Sequence, residues 1–277
     1  MKENETRNSD TLAMNRSGWN AISAAYQKST QISTEDVHYG VWAKGEKALR
    51  LLGDVRGKRI LEVGCGGGQD SIALAKWGAY VVGLDPSEEQ IKYARALAAA
   101  NDVNVIFEIG IAEDLSMHYG ANYDIVLSSY AFDYVTDLRL AYDQIYQVLR
   151  SGGLFVFCLS HPMFQAVGWY LGGDPGAPEI RNYRAWPATE DWDWKYDGQP
   201  PAHMRDHLRT TSHLFNDLVA AGFTVERIIE QGVEDLVNSS PEEIAALPYR
   251  SKLDTSSKEY EIMRKLPDTI LFIARKS

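Results

Sequence analysis

Apolar and polar positions along this chain alternate between two periods, and the switch between them recurs from residue 58 to the C-terminus. Short runs of aliphatic and aromatic residues predict buried strands over 59–63, 80–84, 103–108, 123–127 and 153–159. Between them, residues 69–77, 87–100 and 137–149 place their apolar residues at helical spacing. A helix over about 210–221 and strands over 223–230 and 269–275 complete the series. Strands that alternate with helices imply an α/β fold, a parallel sheet covered on both faces. Ahead of this core, Trp19 to Gln27 reads as a helix with Trp19, Ile22 and Tyr26 on one face, and Glu46–Leu52 as a second helix ending near Gly53. Residues 1–15 are polar and are expected to be disordered.

Two stretches break the alternation. Residues 162–209 are rich in Trp, Tyr, Pro and Gly and include Trp169, Trp186, Trp192 and Trp194. Residues 232–267 are polar, with helices expected near Pro241–Leu247 and Ser256–Lys265. A long insertion inside a compact domain usually has a function. Ligands of open α/β sheets bind outside the carboxyl ends of the strands, and the first insertion leaves the 153–159 strand at that edge. It is therefore expected to roof a pocket, over a single domain of 16–277 whose N-terminal helices (16–53) act as a lid.

The chemistry of that pocket begins at Ile60–Val63, which ends abruptly in Gly64, Gly66, Gly67 and Gly68. A buried strand, a tight glycine turn and a helix start bring backbone N–H groups against a nucleotide-like ligand. A dinucleotide fingerprint, G-x-G-x-x-G, requires glycine at position 69, where this chain has Gln69. The next strand delivers Asp85, followed by Pro86 and Ser87. A carboxylate there is placed to accept both hydroxyls of a ribose, which NAD and S-adenosylmethionine share.

Leu61-Glu62-Val63-Gly64-Cys65-Gly66-Gly67-Gly68 and Val82-Gly83-Leu84-Asp85-Pro86-Ser87 are followed by Tyr123-Asp124-Ile125-Val126-Leu127-Ser128-Ser129 and Val148-Leu149-Arg150-Ser151-Gly152-Gly153-Leu154. In that order, over residues 58–160, these segments make the chain resemble the class I S-adenosylmethionine-dependent methyltransferases, in particular those that act on small molecules in quinone biosynthesis and natural-product tailoring. The resemblance implies a Rossmann-like, seven-stranded, mostly parallel sheet with an antiparallel last strand. It implies S-adenosylmethionine as cofactor and S-adenosylhomocysteine as product. Gly64, Cys65 and Gly66 should face the methionine end, with Glu62 supporting the turn or reaching the ligand's amino group. Asp85 should hold the ribose and Pro86 should lie near the adenine face, with Gln90 a further cofactor-binding residue. Where the family has Asp-Ala-Glu after the third strand, this chain reads Ile111-Ala112-Glu113, which leaves the Ala112 backbone and Glu113 for the adenine. Ser128 and Ser129 should sit under the methionine tail, and Tyr26 should close over the cofactor.

A sulfonium is already an activated methyl donor, so transfer needs mainly orientation and a deprotonated acceptor. A hydroxyl, phenol or carboxylic acid acceptor profits from a general base, most often His. His161, just past the fifth strand, is the first candidate and His207 the second, while Asp133 and Tyr134 follow the fourth strand and could face the methyl group. The competing reading of any one His is a structural hydrogen bond. His203 and His207 are spaced i, i+4, but the Glu of H-E-x-x-H is absent and no metal site is expected.

Composition narrows the acceptor. The formal net charge is −10 and the pI about 5.1, a poor balance for holding nucleic acid. The Pro-Pro-aromatic and Pro-Cys words of DNA methyltransferases are also missing: the position after the fourth strand reads Ser128-Ser129-Tyr130-Ala131. A small-molecule acceptor under a Trp-rich roof fits better, with oxygen as the first choice of atom and nitrogen, carbon or a protein side chain as alternatives. A non-catalytic S-adenosylmethionine binder is a further reading, and a NAD enzyme a distant one. Two cysteines, Cys65 and Cys158, and no long apolar run lead to the expectation of a cytoplasmic, soluble protein without membrane or nucleic-acid partners, monomeric or homodimeric.

Overall fold

The alternating pattern becomes one sheet because its apolar runs are buried on both faces. The structure is a computed structural model that describes residues 2–167, 180–196, 198–250 and 255–277. Its first strands are β1 (Arg59–Val63), β2 (Tyr80–Asp85), β3 (Ile106–Ile109), β4 (Tyr123–Ser129) and β5 (Leu149–Ser160). β6 (Ala188–Trp194) and β7 (Ala202–Leu208) form a separate hairpin, and β8 (Phe223–Gln231) and β9 (Thr269–Lys276) complete the main sheet. The strand order is β3-β2-β1-β4-β5-β9-β8, parallel from β3 to β5, with β9 antiparallel to both neighbours. Consecutive side chains of β1 enter different cores: Ile60 packs with Val37, Leu74 and Leu127, and Leu61 with Phe132, Ile145 and Phe155. The helices are α1 (Lys2–Thr30), α2 (Glu46–Leu49), α3 (Gln69–Lys76), α4 (Glu88–Ala100) and α5 (Leu115–His118). They continue with α6 (Leu138–Val148), α7 (Pro162–Gln165), α8 (Thr211–Ala220), α9 (Pro241–Ala245) and α10 (Lys258–Met263). Strand order reverses direction between β1 and β4, which opens a crevice at their carboxyl ends.

Three expectations are corrected. Residues 2–15 are the first half of α1 rather than a disordered tail. Their polarity has a structural use: the Asn15 side chain donates to the Arg205 carbonyl (2.9 Å) and accepts from the Arg205 N–H (2.7 Å), while Thr11 accepts from the Arg205 guanidinium. Asn15 thereby pairs an otherwise open edge of β7, so polar residues become buried. The helix expected over 46–52 stops after Leu49, because Arg50 turns left-handed and the buried Glu46 carboxylate accepts the N–H groups of Leu51 (2.9 Å) and Leu52 (2.7 Å). The insertion, for which no strand was expected, contains the β6–β7 hairpin. His203 and His207 lie on β7, where four residues span about 13 Å, so their spacing does not bring two imidazoles onto one metal. Trp169 lies outside the described residues.

Candidate active site

The turn after β1 needs its glycines for two separate reasons. Gly64 has φ +73°, and a Cβ on it would come within 2.2 Å of the Ala131 Cβ in the loop after β4. Gly66, at φ +49°, would instead project a Cβ into open space. That space is the cleft at the carboxyl ends of β1, β2 and β4. A Cβ there would occupy ligand volume, which is why the backbone stays bare.

Asp85 at the tip of β2 lines the cleft. One of its oxygens accepts from the Gly66 N–H (3.0 Å) and the other from the Ser87 N–H (2.8 Å). Burial pushes its carboxyl up to about 6 against the pull of these two bonds. Glu62 and Asp70 stand on the other side of the turn, both buried. Burial and then the charge of Asp70 push Glu62 well above the usual carboxylate range, while Ser71 donates to it. Burial raises Asp70 too, although the nearby His38 opposes the shift. One Asp70 oxygen accepts the His38 N–H (2.9 Å), and the other is buried without a hydrogen-bond partner, 3.7 Å from the His38 imidazole. Two adjacent buried carboxylates with an unfilled oxygen form a receptor for a cation.

A lid and a roof close the cleft. Gln27 on α1 donates to Gln90 (2.8 Å) and accepts from Gln69 (2.6 Å), so a chain of three buried amides ties the lid to the starts of α3 and α4. Asn20 adds a bond to Glu88 (2.8 Å) and accepts one from Ser87 (2.6 Å). Tyr26 faces the cleft with its hydroxyl 3.0 Å from that of Tyr249. Trp19 packs edge-on against Tyr26 (5.2 Å), Trp194 (5.5 Å) and Tyr134 (5.7 Å), joining α1, the hairpin and the loop after β4 in one aromatic wall.

Most of the expected cofactor residues meet at this cleft: Tyr26, Glu62, Gly64, Cys65, Gly66, Asp85, Pro86, Gln90, Ala112, Glu113 and Ser129 all line it. Ser128 does not; alternation along β4 turns it into the interior, where its hydroxyl is buried. Glu113 spends one oxygen on the Thr136 N–H (3.1 Å), bracing the loop after β4. Neither His161 nor His207 lines the cleft. His161 caps α7 through Nδ1, which accepts from the Met163 N–H (3.0 Å), and its Nε2 lies 2.8 Å from Glu230. With both ring nitrogens engaged and burial lowering its basicity, its position is that of a structural histidine. Asp133 lines the cleft, yet its oxygens already accept from the Ser160 N–H (3.1 Å) and the Gln165 amide (3.3 Å). His38, Tyr249, Gln27 and Asp206 also line the cleft, and none of the four was singled out from the sequence. His38 and Gln27 carry no local motif, and the other two come from distant segments.

Six carboxylates, those of Glu62, Asp70, Asp85, Glu113, Asp133 and Asp206, line the cleft, and no Lys or Arg does so among the described residues. Such a surface repels the pyrophosphate of a dinucleotide and fits a ligand with positive charge. Residues 54–174 match a family described as methyltransferase domain. An S-adenosylmethionine dependent methyltransferase from Mesorhizobium loti is 30% identical, with a TM-score of 0.60 over 83% of this chain and 96% of that one. The chain belongs to the class I S-adenosylmethionine-dependent methyltransferases. A putative member from Listeria monocytogenes shares the fold, with a TM-score of 0.62 at 24% identity over 84% of this chain and 96% of that one. The ubiquinone biosynthesis O-methyltransferase of Rhizobium etli is 39% identical to this methyltransferase over 44% of the chain and 48% of the relative. The chain thus spans about half the length of the curated relatives it matches. The family's donor fits the residues present, since its α-ammonium is a cation that the partnerless buried Asp70 oxygen beside Glu62 can accept. Among the described residues, no helix is long and apolar enough to cross a membrane.

Proposed function

We propose that this methyltransferase moves a methyl group from S-adenosylmethionine to a small organic acceptor held between the glycine turn and the roof. The observation that carries this reading is the continuity of the cleft. The bare backbone at Gly66 opens directly onto a space walled by Trp19, Trp192 and Trp194. Asp85 accepts the ribose hydroxyls, Glu62 and Asp70 receive the α-ammonium, and the Ala112 backbone lies against the adenine. S-adenosylmethionine, when bound, supplies a methyl group already activated on sulfur. The chain's own residues orient it, exclude water with the aromatic wall and fix the acceptor in line. The names of the curated relatives favour oxygen as acceptor atom, over a match confined to the donor-binding half. His161 supplies no base for it, since its nitrogens are spent on α7 and Glu230.

The test is to incubate the protein with methyl-labelled S-adenosylmethionine and a cell extract, then separate small molecules from macromolecules. Label is expected in a new small-molecule species and absent with Asp85→Ala. Label in protein or nucleic acid, or none above the Asp85→Ala control, overturns the proposal.

A further inference from the structure

The inner face of the hairpin breaks its own pattern at one position. Along β7, Ala202, Met204 and Leu208 point inward and are buried, and Asp206 occupies the inward position between the last two. Apolar residues are the stable choice there, and a carboxylate is costly to bury. The register worsens the placement, because Asp206 lies directly opposite Glu190 on β6. Burial, and then the charge of Asp133, push its carboxyl up to about 8.

Among the described residues no Lys or Arg side chain bonds it, and the charge of Arg181 offsets the shift only in part. Arg181 is paired with Glu190 and Arg205 with Asp191, while Arg209 donates to the carbonyls of Phe132 and Val135. Asp206 is 3% exposed and lines the cleft. Its Oδ1 accepts from the Trp192 indole N–H at 3.0 Å, which leaves Oδ2 to the cleft. Beside it stand Trp192 and Trp194, with ring centroids 5.3 Å apart, and the Trp19–Tyr134 edge contact. Aromatic faces next to a carboxylate attract an organic cation by its charge and its apolar body together.

We propose that Asp206 is the recognition residue of an acceptor subsite that takes a protonated amine on an apolar, ring-sized body. The ammonium sits on Asp206 Oδ2 and the body lies against Trp19, Trp192 and Trp194. Bound this way, Asp206 receives one N–H proton. The freed lone pair forms the new carbon–nitrogen bond as the donor's carbon–sulfur bond breaks, and that bond's electron pair stays on sulfur. The assignment rests on the methyltransferase reading above and makes nitrogen rather than oxygen the acceptor atom.

Calorimetry on the protein saturated with S-adenosylhomocysteine tests it, with tryptamine, tryptophol and indole-3-acetate as probes of one ring and three charges. Tryptamine is expected to bind at least tenfold more tightly than tryptophol, and indole-3-acetate most weakly. Asp206→Asn should reduce tryptamine to the level of tryptophol, with unchanged S-adenosylhomocysteine affinity certifying the fold. Equal affinities, a preference that survives in the variant, or no binding of any probe at millimolar concentration overturns the amine subsite alone. Absence of S-adenosylhomocysteine binding to the unaltered protein overturns the methyltransferase reading along with it.

Discussion

The turn after β1 presents its ligand with backbone and one short sequence segment, whereas the roof does so with side chains from α1, the loop after β4 and the hairpin. In the turn, Gly64, Gly66 and Asp85 are fixed by the strands that carry them, and Asp85 bonds the Gly66 N–H directly. In the roof, Trp19, Tyr134 and Trp194 meet only because the chain folds back on itself. A site of the first kind is confined to one cofactor. One of the second kind is free to change its acceptor with a few substitutions, since no sheet geometry depends on them.

Each prediction strains this contrast at a different point. The largest effect belongs to the turn. Asp85→Ala removes the carboxylate assigned to the two ribose hydroxyls and the brace on Gly66, so affinity for S-adenosylhomocysteine should fall by at least about a hundredfold, at about 1.5–3 kcal/mol per charged hydrogen bond. Equal calorimetric affinities would end the ribose assignment. Gly66→Val fills the cradle with a β-branched side chain at a positive φ. Affinity should drop by more than tenfold while the far-ultraviolet circular dichroism stays unchanged; a variant that binds normally would show that ligand does not approach there.

The third prediction concerns pH. In the free protein Asp85 titrates near 6, and Glu62 and Asp70 are raised as well. Asp85 takes up its proton as pH falls through about 6, the raised Glu62 and Asp70 protonate more readily than ordinary carboxylates, and a protonated carboxyl no longer attracts the ligand's ammonium. Affinity for S-adenosylhomocysteine should therefore be highest above pH 7 and decline below 6, by up to about tenfold per unit for each proton taken up. A flat profile from pH 8 to 5 would remove the charge argument.

Smaller effects are expected where the lid meets the roof. Asn15→Ala leaves the Arg205 N–H and carbonyl without partners, a loss of about 1–3 kcal/mol. It should lower Tm by several degrees and speed ligand dissociation, and an unchanged off-rate would separate α1 from cofactor retention. His161→Ala, at the cap of α7, should cost about 1 kcal/mol of stability and leave donor binding and turnover intact. A loss of turnover at constant donor affinity would restore His161 as the base.

Legibility in the sequence follows the same division. The inner strands β1, β2, β4, β5 and β9 were visible as apolar runs, because strands covered on both faces need continuous apolar segments, whereas the edge strands β3 and β8 are shorter or mixed in polarity and largely exposed. The turn was visible because its glycines and Asp85 are close in sequence. The hairpin was not, although Ala202, Met204 and Leu208 alternate with His203, Arg205 and His207. Asp206 interrupts the inward row, and β6 mixes Trp192 and Trp194 with three acidic residues. Residues 2–15 misled for a related reason: Asn15 and Thr11 are polar because they bond the backbone and the guanidinium of Arg205, which composition alone does not distinguish from solvation. His161 stands at the right edge of the sheet, but one of the two partners that hold its ring in place, Glu230, comes from a distant strand, while the other is the local Met163 N–H.

The central claim is that the turn binds the donor through Asp85 independently of the roof. Titration calorimetry of S-adenosylhomocysteine into the unaltered protein, Asp85→Ala and Asp206→Asn tests it in one series. One-to-one binding that is lost in Asp85→Ala and kept in Asp206→Asn is the predicted result. Binding that survives Asp85→Ala, or that depends equally on Asp206, would contradict the account.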